Sequence, residues 1–240
     1  MKTKLYFIRK IKNLFERFKL HILFDPFANF FLQLAYLTRL SKWISSTPKP
    51  PYDDFYNKKV EYNKRMLMHK YVLEKEKLDN QIDYLEFGVA SGISFKWWVE
   101  NNKNINTRFF GFDTFTGLPE DFGVFKKNDY SQNGKFPDIK DDRVEFWSGL
   151  FQKSLPEFLK TFNWDRRIVI HMDADLYSST LYVLTSVAEF LKKGDIILFD
   201  EFGVPMHEFR AFSDFFASYP LKYELIAAAN NYLQIAIKII

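Results

Sequence analysis

YLEFGVASG (Tyr84–Gly92), HMDADLYSST (His171–Thr180) and KKGDIILFDEF (Lys192–Phe202) are the stretches whose reading decides the fold. In the first, an apolar run ends in a turn of small residues. In the other two, apolar runs end on Asp173, and on Asp200 followed by Glu201. Short apolar runs bounded by Gly and Asp, each followed by a helical pattern, read as buried strands of an α/β sheet. Working outward, strands are predicted at 83–88, 108–112, 143–147, 167–172, 195–199, 221–226 and 232–239. Helices are predicted at 94–101, 151–162, 178–192 and 207–218. Strands that alternate with helices imply βαβ units and a mostly parallel sheet. The last two strands leave no room for a crossover helix, so they should pair antiparallel at one edge. The expectation is a Rossmann-like, doubly wound α/β domain with a seven-stranded, mostly parallel sheet and an antiparallel edge strand, preceded by an N-terminal helical extension. In such sheets ligands bind at strand C-terminal ends, where all three stretches place their small or acidic residues.

A chain of 240 residues accommodates one well-buried α/β domain with an accessory segment. We expect an extension and linker over 1–54 and the α/β domain over 55–240. With no cysteine, disulfides, thiolate metal sites and cysteine nucleophiles are excluded. Charged residues interrupt every apolar run near the N-terminus, so neither a signal peptide nor a membrane-spanning helix of roughly 18 apolar residues is expected. The default location is the cytoplasm. The net charge is +4, but the first 44 residues hold nine Lys/Arg against two acids, a net of +7, and leave −3 for the remainder. A nucleic-acid binder would place its positive excess around the cleft, so no nucleic-acid partner is expected.

In the extension, Leu5, Ile8, Ile11, Leu14, Phe15 and Phe18 recur at three- and four-residue intervals with basic residues between them, the pattern of an amphipathic basic helix. Two readings stand. The stripe packs on the domain or on a second subunit of a homo-oligomer, or it attaches peripherally to the inner membrane surface through anionic lipids. Phe24–Trp43 continues the aromatic character after a break at Asp25–Pro26, and SSTPKPPYDD (Ser45–Asp54) reads as a proline-stiffened linker. The segment 57–78 lacks Gly and Pro and should form a helix across the pocket edge. Between the second and third strands, Thr116–Asp142 is a long polar loop of the kind that folds over a substrate.

Gly88 and Gly92 let the backbone approach a ligand, and the helix that follows offers free N–H groups. Asp113, closing RFFGFD, stands where a carboxylate accepts ribose hydroxyls. A nicotinamide dinucleotide would call for G-x-G-x-x-G. Here the middle glycine is missing, which fits a ligand without a pyrophosphate. Asp173, Asp200 and Glu201 should cluster on adjacent strand ends. Crowded carboxylates call for a cation, and oxygen ligands suit Mg²⁺ or Mn²⁺. Such an ion lowers the pKa of a substrate hydroxyl, and Asp173 or Asp175 then takes the proton. His171, His207, Tyr177 and Arg210 are secondary candidates.

EFGVASG, FFGFDTFTGLPE, HMDADLYSST and LKKGDIILFDEF together resemble the macrocin O-methyltransferase family, class I S-adenosylmethionine-dependent enzymes that methylate sugar hydroxyls with a divalent metal. The resemblance covers roughly Asp83–Ile240. It implies S-adenosyl-L-methionine as cofactor, with Glu86, Gly88 and Ser91 at its methionine end, Asp113 on its ribose, and Ser148 and Gly149 near adenine. It also implies Asp173, Asp200 and Glu201 as metal ligands and a small-molecule or glycan acceptor. Where this chain has Asp200-Glu201, the family more often has two aspartates. A catechol-like acceptor, or a non-catalytic scaffold that binds a membrane or partner, are the alternatives.

Overall fold

The computed structural model describes residues 2–121 and 123–240, so Met1 and Phe122, the latter within the TGLPEDFGV stretch of the long loop, lie outside the described residues. The chain divides into two compact units, one up to Ser45 and one over Ser46–Ile240. In the first unit lie α1 (Lys2–Arg17) and α2, which runs on to Ser46 (His21–Ser46). The helical break falls at Phe18–Leu20, ahead of the expected Asp25–Pro26. Pro26 sits near the start of α2, where a missing N–H removes one hydrogen bond of the first turns.

The second unit runs β1 (Tyr52–Asp53), α3 (Tyr62–Lys75), β2 (Ile82–Phe87), α4 (Ile93–Asn101), β3 (Arg108–Asp113), β4 (Val144–Ser148), α5 (Phe151–Thr161), β5 (Arg167–Met172), α6 (Tyr177–Val187), β6 (Ile196–Phe199), α7 (Glu208–Ser218), β7 (Tyr223–Ala229) and β8 (Gln234–Ile239). The sheet order is β1-β7-β8-β6-β5-β2-β3-β4. Two details of the expected sheet are corrected. It has eight strands, because Tyr52 and Asp53 of the proline-rich segment add parallel to β7 opposite Ala227 and Ala228. The antiparallel strand is also interior: β8 lies between β6 and β7 and is antiparallel to both. With β1 covering it, β7 is not an edge, and residues 46–54 fall within the second unit.

Two helices are shorter than predicted because side chains take over backbone groups. Asn231 and Asn230 accept from the N–H groups of Asn57 and Glu61 at 2.7 and 2.9 Å, holding that segment out of α3. Asp195 accepts from the N–H of Lys192 at 2.7 Å, beyond the end of α6. The central strands explain why their sequence reads as continuous apolar runs. Every residue of β2 is buried, as are all four of β6 and five of six in β5, as expected for parallel strands covered on both faces. The one acid at the start of β2, Asp83, is buried against Arg108, which donates two hydrogen bonds at 2.7 and 2.6 Å. Chain order reverses between β2, which leads to β3, and its neighbour β5, so the sheet has its switch point there.

Candidate active site

The turn after β2 is built for close contact. Gly88 has φ +100°, and a Cβ there would lie 1.8 Å from the backbone oxygen of Asp173, so only glycine lets β2 and β5 end side by side. Gly92 (φ +79°) precedes α4, and a Cβ on it would lie 2.7 Å from the Pro137 ring of the long loop. Asp113 ties this turn to β3. Its Oδ2 accepts from the Ala90 N–H and its Oδ1 from the Phe115 N–H, both at 2.7 Å.

A cavity of about 550 Å³ opens at these strand ends. Its wall takes Gly88–Ser91 from the turn, Asp113 from β3, Gly117–Glu120 and Tyr130 from the long loop, Leu150–Lys153 around the start of α5, Asp173–Asp175, Asp200 and Glu201, and Tyr62 and Arg65 from α3. Seven of the sequence-predicted residues therefore share one cavity: Gly88, Ser91, Asp113, Asp173, Asp175, Asp200 and Glu201. Four are placed elsewhere. Glu86 is fully buried behind the turn, accepting from Tyr84 and from Ser94 (2.7 Å), with His171 Nδ1 at 3.1 Å. Gly92 faces Pro137. Ser148 and Gly149 stand one step back: the Gly149 N–H donates to the Asp113 carbonyl at 2.9 Å, and Leu150–Lys153 supply the wall instead.

The acidic cluster is held by a cation that sequence reasoning missed. Arg65 Nη1 lies 2.7 Å from Asp200 Oδ2 and 3.5 Å from Asp173 Oδ2. Nothing in the periodicity of α3 distinguishes Arg65 from the surface bases around it, because its partners lie more than a hundred residues away. Burial, then repulsion by Asp200, pushes Asp173 well above the ordinary carboxylate range, with Arg65 opposing the shift. The same two causes lift Asp175 to about 7 and Glu201 to about 8. Asp175 also takes a left-handed backbone conformation (φ 57°), which an Asp tolerates better than most residues. It does not cap α6, whose first turn has no side-chain cap.

Behind Glu201, Glu208 is fully buried. One of its oxygens accepts from the Glu201 N–H at 2.9 Å and the other has no partner. Among the described residues, the side chains whose ligand atoms gather within 4.8 Å are His171, Asp173 and Asp200. This set shares two aspartates with the predicted one and leaves Glu201 on the wall beside it. Buried Asp200 Oδ1 and His171 Nε2 have no hydrogen-bond partner. His171 is otherwise committed to Tyr84 and Glu86 through Nδ1. Tyr177 donates to Asp214 at 3.1 Å, with the Arg210 guanidinium 4.0 Å from its ring centre, and neither residue lines the cavity.

An open α/β sheet with a glycine turn, a carboxylate on the next strand and an acid-lined cavity at the switch point defines a Rossmann-like, doubly wound fold. Residues 85–202 match the family described as a methyltransferase domain. Mycinamicin III 3''-O-methyltransferase of Micromonospora griseorubida is 31% identical over 98 residues, which are 39% of this chain and 35% of that protein. The match thus spans about a third of that relative's length. The calicheamicin methyltransferase CalS11 shares the fold, with a TM-score of 0.57 at 20% identity over 85% of this chain and 91% of that one. The apo structure of CalS11, described as a TDP-rhamnose 3'-O-methyltransferase, gives a TM-score of 0.52 at 21% identity over 85% and 93% of the two chains. The O-methyltransferase NovP gives 0.50 at 20% identity over 73% and 77%.

Proposed function

We propose that this protein transfers a methyl group from S-adenosylmethionine to a hydroxyl of a sugar or glycan-containing acceptor. One observation carries the reading. A single cavity joins a glycine turn braced by Asp113, which suits a nucleoside without a pyrophosphate, to a carboxylate cluster able to take a proton. The methyltransferase-domain match and the named activities of the mycinamicin enzyme and CalS11 support it.

In this reading the acceptor oxygen attacks the sulfonium methyl in line. The S–CH₃ bond breaks as the O–CH₃ bond forms, S-adenosylhomocysteine leaves, and the hydroxyl proton passes to the Asp173/Asp175 pair. Asp175, at about 7, has the proton affinity a general base needs near neutral pH. The rest of the rate enhancement comes from holding the two reactants in line in a confined space.

The donor set also fits a hard divalent cation: the oxygens are clustered, and Asp200 Oδ1 is buried without a partner. Asp173 and Asp200, with Glu201 on the wall beside them, would hold Mg²⁺ or Mn²⁺. Such an ion, when bound, supplies Lewis acidity to the acceptor hydroxyl. Arg65 already offsets part of the cluster's negative charge, and it sets the relative position of Asp173 and Asp200.

Calorimetric titration with S-adenosylmethionine and, separately, NAD⁺ tests the cofactor. Saturable binding of the first alone is expected, followed by methyl transfer to nucleotide-linked or free deoxysugars. Binding of neither ligand would move a non-catalytic scaffold to the front.

A further inference from the structure

In the first unit most of the large apolar side chains of α1 and of the first half of α2 lie on the outside, whereas Tyr36 and Leu40 further along α2 are buried. On α1, Phe7, Ile8, Ile11, Leu14 and Phe15 recur at three- and four-residue intervals and all are exposed, Ile11 at 56%. The other face carries Arg9, Lys10, Lys12 and Arg17. Over residues 2–20 there are seven Lys/Arg against one acid, Glu16.

α2 is built differently. At 3.6 residues per turn, its exposed Ile22, Leu23, Phe24, Phe27, Phe30 and Leu32 point around most of the helix circumference. Asp25, Asn29 and Gln33, four residues apart, form a narrow polar strip between them. A helix that packs on a protein shows an apolar stripe of roughly 100°. The first half of α2 far exceeds that, which calls for a medium that surrounds the helix. Between the helices the chain bends by 116°, and neither helix alone is long and apolar enough to cross a membrane.

We propose that α1 and α2 attach the protein to an anionic lipid surface. α1 lies in the headgroup boundary with its bases against acidic lipids, and the first half of α2 enters the acyl region without crossing it. The apolar circumference of α2 selects the lipid over a second copy of this chain, because a partner helix covers only one side of α2, and the basic face of α1 selects a lipid surface that is anionic. The inference does not depend on the methyl-transfer reading.

The test is flotation of the full-length protein with vesicles of pure phosphatidylcholine and with vesicles in which about a third of the lipid is phosphatidylglycerol. Binding to the anionic vesicles should exceed that to neutral ones at least tenfold and weaken as NaCl is raised. Lys10→Gln with Lys12→Gln should reduce it about fivefold per charge. Ile11→Asp should reduce binding on the order of tenfold, the value of one buried apolar side chain. Far-ultraviolet circular dichroism checks that each variant stays folded. Protein that fails to float with either vesicle, or floats equally with both and is indifferent to the lysine changes, overturns the proposal. So does a homodimer that ignores vesicles and dissociates on Ile11→Asp.

Discussion

Arg65 is the residue on which the charge balance of the site turns. It is mostly buried, 2.7 Å from Asp200 and 3.5 Å from Asp173, so removing it leaves two carboxylates facing each other without a counter-charge. Arg65→Met should cost on the order of 2 kcal/mol, less than a fully buried pair because the cavity admits solvent. Urea unfolding at neutral pH measures it. The same variant should bind Mg²⁺ more tightly in a titration, because the competing guanidinium is gone. Asp113→Asn tests the other side of the cavity. It keeps an oxygen for the Ala90 N–H but loses the carboxylate charge, so S-adenosylmethionine affinity should fall roughly tenfold or more, in proportion to a charged hydrogen bond of about 1.5–3 kcal/mol. The glycine turn, Asp113 and the acids were readable because each follows an apolar run directly. Arg65 was not, and neither was the role of Glu86, whose position in the same motif hid that its carboxylate is spent on Tyr84, Ser94 and His171.

At the level of elements, α7 and the long loop brace the cavity from outside. Glu208, at the start of α7, is fully buried with one unpartnered oxygen, and burial followed by the charges of Asp200 and Glu201 pushes its pKa well above the ordinary value. With the folded pKa raised, the folded state keeps a proton that the unfolded chain releases near pH 4.5. Stability therefore falls as pH climbs from there toward the folded pKa, by up to about 1.4 kcal/mol per pH unit. Glu208→Gln retains an acceptor for the Glu201 N–H and carries no titrating proton, so its stability relative to the native protein should be constant below about pH 4.5 and rise with pH from there toward the folded pKa in urea titrations. The loop is pinned where Pro137 meets Gly92 and where the Phe115 carbonyl accepts from Gln132 and Gly134 at 3.0 and 2.8 Å. Gly92→Ala adds a methyl that would lie 2.7 Å from Pro137. It should speed tryptic cleavage at Lys126 and Lys127 severalfold while leaving the sheet intact. Element types followed from hydrophobic period, whereas their ends were moved by side chains distant in sequence, such as Asn230 and Asn231 at the start of α3.

Across the whole molecule, order should follow burial. Amide exchange is expected to be slowest in β2, β5 and β6, whose residues are almost all buried, and fastest in α1 and residues 116–142; mass spectrometry of exchanged peptides checks this. By itself the sequence determined an α/β domain with its acids and glycines at strand ends, because hydrophobic period and turn punctuation are local properties of the chain. Tertiary structure alone decided that β8 lies inside the sheet, that Tyr52–Asp53 supplies an eighth strand, that His171 joins the two aspartates and that Arg65 closes over them. Each of these is a contact between segments far apart in the chain. The free energy that selects such a contact comes from burial and charge pairing, and these exist only once the segments have met.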